Sequence, residues 1–187
     1  MRSGFRTNQP EGRIMLKILA LATAASTVAL ASPALAQQAG NTAQADFVDK
    51  SGKETGRAHL TAASGGVLFE VEVSGLEPRK WVALHVHETG NCDDHAEGHK
   101  ASGGHFNPDE KEHGFLSANG PHAGDLPNQY VAEDGVMRAQ IYSTLVRLDD
   151  KERGIRGRAL IVHAGSDDNR TDPAGGAGDR LACAVIR

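Results

Sequence analysis

The sequence predicts an all-β domain: a Greek-key β-sandwich or barrel of about eight antiparallel strands with two long functional loops. Three observations predict it. Apolar residues recur with period two in several short segments. No segment after residue 36 carries a convincing amphipathic-helix period. Residues 88–129 and 164–180 lack alternation and are rich in Gly, Asp, Asn and Pro, and loops of that length inside a compact domain usually serve function.

Taken in order, the chain opens on an extension and a secretory signal. Residues 16–36, LKILALATAASTVALASPALA, place an apolar run after Lys17 and close it with the small-x-small site Ala34-Leu35-Ala36 before Gln37. Thr23, Ser26, Thr27, Ser32 and Pro33 interrupt the run, which argues for cleavage rather than a spanning anchor. Met15 stands just ahead of Lys17, so residues 1–14 read as an extension. The expected division is 1–36 as extension and signal, and 37–187 as one exported domain, periplasmic or otherwise outside the cytoplasm.

Residues 1–36 carry four basic side chains and one acidic, so their removal shifts the formal charge from −4 to −7. A domain this acidic is a poor partner for nucleic acid or an anionic membrane. Two cysteines, Cys92 and Cys183, in an exported chain suggest one disulfide. Closing so long a loop contributes about 4–5 kcal/mol in the chain-entropy account.

The strands follow from alternation. Val67, Phe69, Val71 and Val73 alternate with Leu68, Glu70 and Glu72, and a turn follows at Ser74-Gly75-Leu76-Glu77-Pro78. From Trp81 to His87, Val82, Leu84 and Val86 point one way while Ala83, His85 and His87 point the other. Met137, Ala139 and Ile141 mark a further strand. Leu160 and Val162 mark another, with Ile161 and His163 opposite, and Ala182 to Ile186 form the last. Weaker strands are expected at 44–49, 57–62 and 145–149.

Seven of the nine histidines fall between residues 85 and 122. His85 and His87, two apart on a strand, project from one face and can reach one ion. His163 ends another strand with the same inside–outside logic. His105, His113, His122 and Asp125 follow at spacings of eight, nine and three along a loop. Three imidazoles and a carboxylate suit tetrahedral zinc, whereas an all-imidazole set offered from strands suits Cu(II).

Together, His85-Val86-His87, Gly104-His105-Phe106-Asn107-Pro108, His113-Gly114, His122-Ala123-Gly124-Asp125-Leu126, Val162-His163 and Arg180-Leu181-Ala182-Cys183 resemble copper/zinc superoxide dismutases. The GPHAGDLPN and TDPAGGAG segments resemble the exported bacterial branch in particular. The resemblance implies that His85, His87, His105 and His163 bind copper and that His105, His113, His122 and Asp125 bind zinc. His105 would be shared as an imidazolate. It further implies that Asp167, with Asp168 as the fallback, hydrogen-bonds ligands of both metals, that Cys92 pairs with Cys183, and that Arg180 is the arginine that receives superoxide. The implied reaction is dismutation of superoxide to dioxygen and hydrogen peroxide. A non-catalytic relative that binds or delivers metal in the cell envelope is the second reading, and such relatives are expected to lack ligands or the arginine. A hydrolase built on His-x-His-x-Asp-His would need Asp and His where Thr89 and Gly90 stand. The resemblance leaves a homodimer open.

Three positions depart from the family pattern. Ala83-Leu84 replaces a common Gly-Phe, and Ala184 replaces a common Gly. Each added methyl is costly only at positive φ. Of the leftover histidines, His95 and His99 in Asp93-Asp94-His95-Ala96-Glu97-Gly98-His99 are expected in a solvated loop, with an accessory metal-capture site as the second reading, and His59 sits in a weak strand with no partner in sequence. Trp81 is expected on the histidine side, under a loop or at a subunit contact.

Overall fold

The computed structural model describes residues 40–187, so the expected signal segment lies outside the described residues. Nine strands form: β1 Thr42–Asp49, β2 Glu54–Ala63, β3 Gly66–Val73, β4 Lys80–Val82, β5 Leu84–His87, β6 Gln129–Val131, β7 Met137–Ser143, β8 Ala159–His163 and β9 Arg180–Val185. Every strand pairing is antiparallel. The hydrogen-bonded order is β4-β6-β7-β3-β2-β1-β9-β8-β5. β4 and β5 therefore sit at opposite ends of the order, yet only Ala83 separates them. The sheet must curl until its two ends meet at that residue, which makes it a nearly closed barrel.

Alternation places the core. In β1 the buried positions are Ala43, Ala45 and Phe47, and in β3 Val67, Phe69, Val71 and Val73. They meet Leu60, Leu84, Val86, Leu126, Met137, Leu160, Val162 and Ile186 in one apolar cluster. β5 and β8 are buried along their whole length, on both faces. Leu84, Val86, Leu160 and Val162 face the main core, whereas Ile161 packs with Cys92 and Cys183 in a second, smaller cluster. The histidines of β5 occupy this second side, and the long loops cover it.

The structure corrects several expectations. The fold class stands, with nine strands among the described residues against about eight expected: β6, at the end of the segment read as loop, and the division of Trp81–His87 each add one, and 145–149 removes one. The three residues of β6 are too few to show a period, and it pairs with β4 through Trp81 opposite Tyr130. The Trp81–His87 run is two strands, broken where the barrel closes. Trp81 consequently leaves the histidine side: it is 55% exposed and contacts Tyr130 edge-on, ring centroids 5.3 Å apart. Residues 145–149 form no strand. Val146 and Leu148 are buried as alternation requires, but the segment has only an isolated bridge, Arg147 to Gly154, because the Asp150 side chain accepts from the Glu152 and Arg153 amides and turns the chain back. Among the described residues no helix is long and apolar enough to cross a membrane.

Cys92 and Cys183 are bonded, with Cα atoms 5.6 Å apart across 91 residues of sequence. The bond ties the loop after β5 to β9, which is paired on both sides, by β1 and β8. Reducing it should lower unfolding free energy by about 2–5 kcal/mol, read from denaturant midpoints with and without reductant. An unchanged midpoint would show that this tie does not hold the loop.

Candidate metal centre

β5 and β8 are neighbours, with Leu84 opposite Val162 and His85 opposite Ile161. His85 and His87 project from the same face of β5, and His163 ends β8 beside them. The long loop then folds back over β5. His87 bridges His105 and His85 bridges Asp125 through the backbone. The Val86 amide donates to the Gly124 carbonyl (2.9 Å), the Phe106 amide to Val86 (2.8 Å) and the Gly124 amide to Phe106 (2.8 Å). A Cβ at position 124 would lie 2.2 Å from the Val86 carbonyl oxygen, so only glycine admits this approach. Backbone pairing thus delivers His105 and Asp125 to the two strand histidines.

Two donor groups result, each with ligand atoms within 4.8 Å of one another: His85, His87, His105 and His163, and His105, His113, His122 and Asp125. All seven residues are buried, and His105 belongs to both groups. In the first group one nitrogen of each ring is engaged. His85 Nε2 meets Asp167 Oδ2 at 2.9 Å, His87 Nδ1 the Gly103 carbonyl at 2.9 Å, His105 Nδ1 Asp125 Oδ1 at 2.8 Å, and His163 Nδ1 the Gly178 carbonyl at 3.3 Å. The other nitrogen of each ring (His85 Nδ1 and Nε2 of His87, His105 and His163) is buried with no hydrogen-bond partner. One orphaned buried polar atom costs about 1–3 kcal/mol. Four within reach of one point are the signature of imidazoles oriented by outer contacts for an ion, and an all-imidazole set suits copper.

In the second group, Nδ1 of His105, His113 and His122 stand 2.8, 3.2 and 3.3 Å from Asp125 Oδ1. Ligand atoms around a tetrahedral ion with bonds of about 2.0–2.1 Å are separated by about 3.3 Å. The spacing and the N3O chemistry fit zinc. Asp125 Oδ2 is fixed by the Gly114 and His122 amides, both at 2.9 Å.

One buried carboxylate joins the groups: Asp167 reaches His85 through Oδ2 and His113 through Oδ1, each at 2.9 Å. Its neighbour Asp168 is exposed and caps a turn through Thr171 and the Arg170 amide. Three supports of the centre left no signal that the sequence reading used. Asn128 holds the Asp167 backbone in both directions, at 2.7 and 2.8 Å. Asp172 accepts from the His113 amide at 2.7 Å. Gly175 lies so close under Asp167 that any side chain would displace the carboxylate. GPHAGDLPN and TDPAGGAG contain these residues, but their work is visible only once the loops are folded together.

Burial dominates the electrostatics. It pushes the His163 imidazole down to about 3 and His105 to about 4, and His87 well below its usual value. For Asp125 burial acts the other way, but the hydrogen bond from His105, the nearby His122 ring and the Gly114 amide hold its carboxyl well below the usual range. Asp167 is similarly held down, against burial, by His85 and His113. Ionised carboxylates among neutral imidazoles leave a local negative excess, which suits cations. Arg180 is half-buried at the edge of this site. Its Nη1 donates to the His99 carbonyl (2.8 Å) and Ser102 Oγ (2.9 Å), and its Nη2 to the Gly103 carbonyl (2.7 Å), which also faces His87 Nδ1.

His59 lies on β2 and is exposed. His99 is not in a solvated loop: it is fully buried, because the chain turns inward through left-handed Gly98 and His99. Ala83 and Ala184 are absent from the positive-φ positions, so their added methyls strain no backbone.

The sequence profile of the family described as "Copper/zinc superoxide dismutase (SODC)" matches residues 54–186. The chain is 42% identical over 147 residues to "Superoxide dismutase [Cu-Zn] 1" of Aquifex aeolicus, covering 76% of this chain and 86% of that protein. It also resembles the crystal structure of a SOD-like protein from Bacillus subtilis, with a TM-score of 0.72, 32% identity, and coverage of 75% and 95%. The Cu/Zn superoxide dismutase from Brucella abortus superposes with a TM-score of 0.65 at 29% identity, covering 78% of this chain and 99% of that one.

The buried neutral imidazoles set a pH dependence for the metal-free chain. Their folded pKa values lie below those of the unfolded chain, so below about pH 6.5 the unfolded state binds more protons and stability falls. The depressed carboxyls extend the loss to lower pH. His122, raised by Asp125 against its own burial, opposes the trend but is one ring against three. Melting temperature of metal-free protein should drop steadily from pH 7 to pH 4. A flat or rising profile over that range would mean that the rings are not held neutral.

Proposed function

The chain belongs to the copper/zinc superoxide dismutase family and is an oxidoreductase of that kind, and we propose that His85, His87, His105 and His163 hold copper while His105, His113, His122 and Asp125 hold zinc. The observation that carries this reading is the single ring of His105, with Nδ1 in the carboxylate group and an unpartnered Nε2 in the all-imidazole group. When bound, copper supplies the redox couple that takes an electron from one superoxide, giving dioxygen, and returns it to a second, which with two protons gives hydrogen peroxide; zinc keeps one oxidation state.

The chain's own residues do the rest. Asp167 and the Gly103 and Gly178 carbonyls fix the ring orientations of His85, His87 and His163. His105 Nε2 is the atom that accepts and returns a proton between the two half-reactions, while Nδ1 stays with the Asp125 group. Arg180 meets the anion. Its guanidinium remains charged despite burial, and three acceptors hold it in place beside His87. In a domain of net charge −7 after residues 1–36 are removed, this cation is a local focus for an arriving anion. Superoxide dismutases are themselves the familiar case of such steering.

Residues 1–36 are proposed to direct export and to be removed, leaving 37–187 as the enzyme in the periplasm or an equivalent compartment. The second reading, a non-catalytic binding or delivery protein, is disfavoured because all seven donors converge and Arg180 is in place. The processed protein should contain one copper and one zinc per chain and remove superoxide. A protein that holds zinc alone and stays inert after copper reconstitution would overturn the enzyme reading. His163→Ala should abolish activity while most zinc remains; loss of zinc with retention of copper would reverse the ligand allocation. Arg180→Ala should slow turnover and weaken its inhibition by salt, whereas unchanged low-salt kinetics would remove its role.

A further inference from the structure

Nine buried side-chain nitrogen and oxygen atoms among the described residues have no hydrogen-bond partner. Five belong to the paired centre: one nitrogen each of His85, His87, His105, His122 and His163. The other four sit together elsewhere, on the loop between β5 and the paired centre's first loop ligand. They are Asp94 Oδ1, His95 Nδ1, and both ring nitrogens of His99. Outside the paired centre, then, unpaired buried polar atoms occur in this one cluster, and it has the same donor chemistry.

The local fold gathers these donors. Asp94, His95 and Glu97 lie on a single 3₁₀ turn, and left-handed Gly98 (φ 81°) and His99 (φ 55°) send the chain back so that the His99 ring returns toward His95. The ring centroids stand 5.9 Å apart. Within the paired centre, histidines of one donor group range from 4.0 Å (His85 and His105) to 6.2 Å (His105 and His163). Asp94 uses Oδ2 to accept from the Ala101 amide at 2.8 Å, which anchors the carboxylate and leaves Oδ1 free. Burial and the neighbouring His95 keep His99 neutral, the form that ligates. The Cys92 carbonyl is near the His99 ring but outside hydrogen-bonding geometry.

We propose that Asp94, His95 and His99 form a third site, on the loop, for a divalent transition-metal ion. Two imidazoles and a carboxylate suit Zn(II) and Cu(II). The three donors are not gathered within 4.8 Å of one another as those of the paired centre are, so binding draws the turn tighter. The site is weaker than the paired centre for that reason. It lies on the same segment that gives Arg180 the His99 carbonyl, so an ion there also stiffens the support of that arginine.

The test is a titration of Zn(II) alone into processed protein whose paired centre is already saturated with its own metals. One further equivalent should bind. His95→Ala, at a partly exposed position, should weaken that equivalent at least about tenfold, the lower range for losing even an outer contact. His99→Phe, which fills the same buried space with an apolar ring, should remove it. In both variants the metal content of the paired centre should be unchanged. No third equivalent in the parent protein would overturn the proposal, as would a third equivalent that survives either substitution.

Discussion

The structure turns on the placement of one imidazole. His105 is carried by a loop, yet its backbone bridges β5 at His87, and its ring lies between an all-imidazole group and a carboxylate group. Nothing in the ring enforces this. The enforcement comes from a three-part backbone clip, Val86 to Gly124, Phe106 to Val86 and Gly124 to Phe106. Because Gly124 has no Cβ, the loop carrying Asp125 can lie directly on the strand carrying His85 and His87. Both donor groups then share an edge. A metal centre of this kind is a property of loop docking more than of the strands beneath it.

The barrel supplies the rigid side of that contact. β5 and β8 are buried on both faces, which fixes His85, His87 and His163 against a packed core. The disulfide joins the start of the loop to β9, and β9 also presents Arg180. Asp167 closes the arrangement from the second long loop, its two oxygens reaching one ring of each group. The orientation of the free nitrogens is therefore set twice, by strand geometry and by acceptors behind each ring. Such outer contacts hold donors ready at the expense of leaving lone pairs unsatisfied until an ion arrives.

Much of this was legible in the sequence, for identifiable reasons. Period-two alternation marks β1, β2, β3 and β7 because each has one face on a core and is long enough to show it, while β8, buried on both faces, reads as an apolar run ending in His163. It fails at β6, which has three residues, and at 145–149, where Val146 and Leu148 are buried without a neighbouring ladder. It also merges β4 with β5, because alternation continues through Ala83 while the chain passes from one end of the sheet to the other. In the site, His-x-His and the loop histidines were visible as residue types with spacing. Asn128, Asp172 and Gly175 were not, since a backbone clamp, a single accepted amide and a missing Cβ have meaning only across the folded loops. His99 was misread as solvated for a related reason: a polar stretch gives no sign that two left-handed residues turn one of its rings inward.

The central claim is that one ring serves two ions. Its most direct test is a crystal structure of the metal-loaded protein with anomalous difference maps collected at the copper and zinc edges. The account predicts two separate peaks, copper against Nε2 of His105 and zinc against Nδ1 of the same ring. A single peak in the centre, or two peaks of which one does not touch His105, would contradict it.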